Sequence, residues 1–296
     1  MNLQNISTEK INEETILIDQ MSIKQILEII NKEDEKIAKK IYHEIDDITK
    51  VIEVIYQKNK IGGRLVYVGA GTSGRMGVLD ASEMYPTFNS KDDILALIAG
   101  GDFALRNPVE FAEDDETQAE TDLKSINLTK NDVVIGIGAS GRTPYSIGAI
   151  QYANKIKAVS VGLSMSKNSE FKKIAQYIIE IDCGPEVITG STRLKAGTAT
   201  KLVLNMISTT LMIKKQKTLG NLMIDVRINN KKLYARAINI IKQITNISDE
   251  NLIKKTLKEA DDNVRIAVIM IFKKCSKNEA LAWNKENGNL HELLKY

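Results

Sequence analysis

The sequence predicts an α/β fold built on a parallel sheet with helices on both faces, and three observations carry that prediction. Short apolar runs rich in Ile, Val and Ala recur at Leu65–Val68, Ile94–Ala99, Val133–Ile137, Ala158–Leu163 and Tyr177–Ile181. Helix-compatible sequence separates each run from the next, the βαβ rhythm that winds a parallel sheet. Two of the runs end in glycine-rich turns that open a helix, and in such sheets the site lies outside the carboxyl ends of the strands.

The chain has 296 residues, enough for a proper core and for a main domain with a smaller one. Its formal charge is +3 with both signs interspersed, so no basic block implies nucleic acid. Cys183 and Cys275 lie far apart, and the histidines are His43 and His291 alone. That usage implies neither a disulfide framework nor a zinc site. Met1 to Lys10 is polar and lacks an apolar segment of the secretory kind, and no apolar run is long enough to span a membrane. The expected setting is a reducing cytoplasm.

Taken in order, residues 1–12 are polar and expected to be loose. Ser22 is placed to cap a helix whose apolar positions are 23, 26, 27 and 30. A second helix is expected from Asp34 to Lys58, with Ile37, Ile41, Ile45, Ile48, Ile52 and Ile55 on one side and a break near Asp46-Asp47. After the first strand a helix runs from Arg75 towards Ser82. Asp102–Lys124 is acidic and helical in tendency, a helix follows Pro144, and Ser169–Gln176 reads as another. Gly184–Gly197 is an irregular loop before a long helix at Thr198–Lys215. The pattern then becomes helix-only, at Leu233–Thr245, Asp249–Ala260, Val264–Lys274 and Asn278–Tyr296, with caps at Asp249 and Asp262. Residues 1–60 are therefore expected to be helices packed on the core, 61–229 the sheet domain, and 230–296 a small helical subdomain, in essence a three-helix bundle.

The stretch that organises the chain is Gly69-Ala70-Gly71-Thr72-Ser73-Gly74-Arg75, directly after the first strand. Strand, glycine turn and helix together aim backbone N–H groups and a helix N-terminus at an anion. Thr72 and Ser73 add hydroxyl donors. The stretch formally matches GxGxxG, a weak signal alone. A dinucleotide site would want an acidic residue at the end of the second strand, where Ala99-Gly100-Gly101 stands with Asp102 just beyond. A phosphate-binding P-loop is excluded because Arg75 replaces its lysine and the spacing is wrong. Gly138-Ala139-Ser140-Gly141-Arg142-Thr143-Pro144 repeats the idea after the third strand. Ser140, Gly141 and Thr143 are placed to meet the same phosphate as Ser73, Thr143 doubling as a helix cap with Pro144 in the first turn. In Gly184–Thr198, Ser191, Arg193 and Lys195 are placed to line an anionic pocket, beside the blander reading of a capped helix entry. Glu83, and Glu113 in Ala112-Glu113-Asp114-Asp115-Glu116, read from spacing alone as solvated helix carboxylates.

These residues resemble the sugar isomerase (SIS) domain family, and more narrowly the N-acetylmuramic acid 6-phosphate etherase family. Gly69–Glu83, Glu110–Asp114, Gly138–Pro144, Gly184–Thr198, Leu204–Met206 and Gly220–Met223 stand in that family's order and cover nearly the whole chain. Met76, Leu194 and Tyr85 depart from its pattern, and the loop between Glu83 and Ile94 is one residue short. The resemblance implies a flavodoxin-like, doubly wound SIS domain and cleavage of a lactyl ether on a sugar 6-phosphate, without metal or cofactor. It puts the two functional glutamates on Glu83, as general acid, and Glu113, as general base.

A straight helix from Ser73 would put Glu83 about 15 Å away along its axis, too far for a hexose phosphate to bridge. Either the chain turns back before Glu83, or Glu83 serves the site of a second subunit, and a homodimer with a shared site is the expectation. Three rivals stand beside the etherase reading. They are a non-catalytic sugar-phosphate sensor resembling the glucokinase regulatory protein, an aldose–ketose phosphate isomerase, and a nucleotide-dependent oxidoreductase.

Overall fold

A computed structural model describes residues 6–294. The five expected runs form one parallel sheet: β1 Leu65–Gly69, β2 Ile94–Ile98, β3 Val133–Gly138, β4 Val159–Ser164 and β5 Tyr177–Glu180, in the order β2-β1-β3-β4-β5. This is the flavodoxin-like order, with its switch point between β1 and β3. β1, β3 and β4 are buried along their whole length, which is why they read as largely apolar runs, with Ser160 the buried polar exception inside β4. Gly69 pairs with both Ile98 and Ile137, so the glycine turns after β1 and β3 leave the sheet side by side.

The strands are linked by α3 Gly71–Ser82, α4 Met84–Phe88, α5 Glu116–Ser125, α6 Pro144–Lys155 and the single turn α7 Phe171–Ile174. Val66, Val68 and Val134 pack with Ala119 and Leu123 of α5 and with Ala149 and Ala153 of α6. On the other face Tyr67 reaches α3, where its hydroxyl donates to Asp80 at 3.1 Å. Asn205 Nδ2 and Ser208 Oγ donate to the same carboxylate at 2.7 and 3.0 Å. Burial raises the Asp80 carboxyl above the ordinary range, and these three donors pull the other way. The network ties α3 to β1 and to α8, Lys195–Lys214.

Several expectations are corrected. Ile6, Thr8 and Asn12 are buried, and the Thr8 hydroxyl lies 3.4 Å from that of Ser166, so the stretch is anchored at those residues rather than loose, with Lys10 and Ile11 exposed between them; residues 1–5 lie outside the described residues. The helix capped by Ser22 does not stop before Asp34. It runs as α1 from Ile23 to Tyr42, and α2 spans Ile45–Lys60, so the break falls at His43-Glu44. The reciprocal capping box of Ser22 and Gln25 starts α1, and Ile37 and Ile41 extend its buried stripe through the acidic stretch. The acidic segment from Asp102 becomes α-helical only at α5, with short 3-10 turns at Gly101–Leu105 and Ala112–Asp114 before it. Pro108 interrupts it, and Arg75 donates to the carbonyls of Ala104, Leu105 and Asn107 at 2.7–3.3 Å, taking acceptors that a continuing α-helix would use.

Contacts divide the chain into two compact units. One holds the residues up to Ser82 together with Asp92–Ser208; the other holds Glu83–Lys91 and the chain from Thr209 onward. In the second unit, α9 Lys231–Thr245, α10 Glu250–Glu259 and α11 Val264–Lys273 are joined by α12 Lys277–Glu286 and α13 Leu290–Leu294 around one apolar core. A three-helix bundle understates this, because the Ser276/Glu279 capping box starts a separate helix. Asp249 caps α10 as expected, but Asn263 rather than Asp262 caps α11. Arg265 is held there by Asp225 at 2.7 Å and donates to the carbonyls of Gln216 and Gly288. Among the described residues no helix is long and apolar enough to cross a membrane.

Candidate active site

The side-by-side exit of β1 and β3 sets the site. The turn after β1 opens α3 at Gly71, and the turn after β3 opens α6 at Pro144 with Thr143 as the flanking residue. Two helix N-termini therefore face one opening, each carrying about half a positive charge and unpaired N–H groups. A cavity of about 350 Å³ lies there, lined by Thr72 and Ser73 from the first turn and by Ser140, Arg142 and Thr143 from the second. Gly141, at φ +65, makes the bend between them, and its backbone carbonyl accepts from the Phe171 N–H.

Gly74 is what lets the first turn come so close. A Cβ there would lie 2.6 Å from the Gly69 carbonyl oxygen and 2.6 Å from Ile98 Cγ1. Gly74→Ala is thus expected to push α3 off β1 and β2, at a cost of about 1–3 kcal/mol or more. Urea unfolding would read that cost, and titration with inorganic phosphate would read a weakened cradle in the same protein.

The two Ser-Gly-Arg arginines act on the chain itself. Arg75 donates to the carbonyls of Ala104, Leu105 and Asn107, and Arg142 donates to the carbonyls of Ser140 at 3.0 Å and Asn168 at 3.4 Å. Each stiffens the approach to the cavity.

Glu113 lies on the short turn Ala112–Asp114 and lines both this cavity and an adjoining one of about 250 Å³. The turn is fixed on both sides. Phe111 before it takes φ +59, a left-handed conformation that costs a non-glycine residue roughly 1–3 kcal/mol and persists only where surroundings impose it. Asp115 after it caps α5, accepting from the N–H groups of Thr117 and Gln118 at 2.9 and 3.0 Å. Glu113 itself is exposed and makes no hydrogen bond among the described residues.

Glu83 is exposed as well, at the residue flanking α4. The intervening helix α3 is unbroken from Gly71 to Ser82, so the chain does not turn back before Glu83. Ser73 and Ser82 stand about 13 Å apart along its axis.

Four of the expected residues do not line the cavity: Gly141 is buried, Arg193 is exposed elsewhere, and Ser191 and Lys195 are not brought to it. Ser191 is half-buried on the 184–194 loop and does not line it, although its neighbour Thr192 does. Lys195 is 3% exposed and its ammonium pairs with Glu33 of α1, which also pairs with Lys36. The reason is local. Glu186, also buried, accepts from the N–H groups of Lys195 and Ala196 at 3.1 and 2.9 Å and so caps α8 from across the loop. That cap turns the Lys195 side chain towards α1. Burial raises the Glu186 carboxyl, against those two N–H donors. Sequence reasoning missed Glu9, Asp114 and Thr192, which do line the cavity; a polar N-terminal stretch carries no pattern that would single out Glu9.

Comparison with known proteins bears on the fold and the family. Residues 105–210 match the SIS domain, residues 47–154 the N-terminal SIS domain of the glucokinase regulatory protein, and residues 220–265 the C-terminal lid domain of that protein. The chain is similar to the solved structure of the E. coli CFT073 protein c3406, with TM-score 0.51 and 18% identity over 73% of this chain and 100% of that one. It is likewise similar to a phosphoheptose isomerase from Francisella tularensis, with TM-score 0.50 and 12% identity over 66% and 99%. At those identities the likeness speaks to the fold. Closer in sequence is the N-acetylmuramic acid 6-phosphate etherase of Mycoplasma mycoides, 52% identical over 95% of this chain and 93% of that one. The protein of the same name from Staphylococcus saprophyticus is 47% identical over 99% of both. At that identity over essentially the whole length, the chain belongs to the N-acetylmuramic acid 6-phosphate etherase family.

Proposed function

We propose that this chain cleaves the D-lactyl ether of N-acetylmuramic acid 6-phosphate, giving N-acetylglucosamine 6-phosphate and D-lactate. The observation that carries the reading is the meeting of two hydroxyl-bearing helix entrances and Glu113 on one cavity. Thr72, Ser73, Ser140 and Thr143, with the N–H groups of the Gly141 turn, hold the phosphate. In the open-chain sugar the aldehyde acidifies C2–H. Glu113 takes that proton, the C3–O bond breaks, and Glu83 protonates the departing lactate oxygen. Water then adds at C3 of the unsaturated aldehyde while a proton returns to C2, so one water is consumed and no electrons are transferred. Such chemistry asks nothing of a metal or redox cofactor, and it suits a cytoplasmic enzyme of amino-sugar recycling.

Because α3 separates the phosphate turn from Glu83, the complete site is proposed to form in a homodimer, with Glu113 of one chain and Glu83 of the other. Mixing Glu83→Gln with Glu113→Gln chains tests this. A shared site makes one intact centre in each hybrid dimer, so random reassortment returns about a quarter of the wild-type rate; sites complete within one chain return nothing. The activity itself is tested by assaying D-lactate from N-acetylmuramic acid 6-phosphate. Saturable binding of sugar phosphates without lactate release would favour the sensor.

A further inference from the structure

We infer that Glu9 is a sugar-binding carboxylate of this site, accepting hydrogen bonds from substrate hydroxyls between the phosphate and C2. The inference rests on the proposed reading of the cavity. Glu9 arrives on the turn Ser7–Glu9, far in sequence from the other cavity residues, and lines the same cavity as Ser73, Ser140 and Glu113. Its position is built. Ile6 and Thr8 on either side of Ser7 are buried, and the hydroxyls of Ser7 and Thr8 lie 3.3 and 3.4 Å from Ser166 Oγ. The turn also abuts the 184–194 loop, where a Cβ on Gly190 would stand 3.1 Å from Glu9 Oε2.

The carboxylate makes no hydrogen bond or ion pair among the described residues, though it is half-buried. For a phosphate alone, a carboxylate on the cavity wall is unfavourable, because like charges repel. It becomes favourable for a ligand that also brings hydroxyl donors, since a carboxylate accepts several at once and charge-assisted hydrogen bonds are the strong ones. A sugar phosphate bound at C6 by the two turns, with C2 at Glu113, has its free hydroxyls between those points. The same charge would steer the lactyl carboxylate away from the phosphate end, so it sets the direction in which the chain of the sugar lies.

The test is Glu9→Gln, with affinities for inorganic phosphate and for N-acetylglucosamine 6-phosphate measured side by side on the full chain. Loss of the charged acceptor is expected to weaken the sugar phosphate about tenfold or more. Inorganic phosphate should bind as well as before or more tightly. In turnover the change should appear in KM with kcat retained, since a ground-state hydroxyl contact is kept in the transition state. Equal weakening of both ligands would mean that Glu9 only shapes the turn, and no change in either would mean that it does not face the ligand; each result overturns the inference. If wild-type protein binds both ligands yet releases no lactate, the etherase reading falls while the role of Glu9 still stands or falls on this comparison.

Discussion

Glu113→Gln is expected to lower kcat for D-lactate release by roughly 10²–10⁴ with little change in KM, because the substitution removes a base and leaves its shape. Glu113 is exposed and without a hydrogen-bond partner among the described residues, so stability should stay within about 0.5 kcal/mol of wild type. Loss of rate at constant melting temperature then reads as chemistry. The assay also separates the two glutamates when run in heavy water. A variant that lacks the base should stop exchanging the C2 hydrogen. Glu83→Gln should go on exchanging it while failing to expel lactate, as expected of a site that has kept its base and lost its acid. The reverse pattern would exchange the two roles.

The second large effect is on the fold. Glu33, 4% exposed, lies between Lys195 and Lys36, and Glu33→Gln leaves the Lys195 ammonium buried beside a neutral amide. Removing one member of such a pair costs about 3–5 kcal/mol, and on a chain of this size each kcal/mol lowers the melting temperature by roughly 2–4 °C. Burial alone would raise the Glu33 carboxyl, but the hydrogen bonds from Lys195 and Lys36 prevail and hold it below its ordinary value of 4.5. A carboxyl depressed in the folded state stabilises fully above that ordinary value and loses its contribution as pH falls further. Wild type should therefore weaken below about pH 4.5 more steeply than Glu33→Gln does. Phosphate affinity per folded molecule should survive Lys195→Met, which a Lys195 acting as phosphate ligand would not allow.

The sheet was legible because buried parallel strands leave a clear trace: predominantly apolar, β-branched runs at Leu65, Val133 and Val159, each closed by glycine or a polar turn. The two phosphate turns were legible for the same local reason, since glycine, hydroxyl and helix start must be adjacent in sequence to act together. What could not be read were placements decided at long range. Lys195 looks like an anion ligand until Glu33, 162 positions away, claims it. Glu9 looks like loose terminus until Ser166 fixes its turn. Helix limits failed where a cap competed with a stripe. Asp34 offers capping chemistry, yet the continuous stripe through Ile37 and Ile41 carries the helix past it. Glu83 and Glu113 were singled out by family pattern alone, for two exposed carboxylates have no periodicity of their own.

The short segment Glu83–Lys91 belongs with helices whose sequence begins only at Thr209. Met84 and Phe88 are buried in it, and Arg227 stacks on Tyr85, 4.3 Å from the ring centre, while its N–H reaches the Pro86 carbonyl. On the ribosome this piece emerges more than a hundred residues before those partners. At ordinary rates of synthesis it waits on the order of ten seconds with its apolar side chains uncovered. Most of the sheet can pair in that interval, so nascent chains should acquire anion binding before they acquire turnover. It also follows that the helical part cannot be excised as one continuous fragment. A chain cut before Thr209 would keep Glu83 in its sequence and lose the partners that shape the backbone around it.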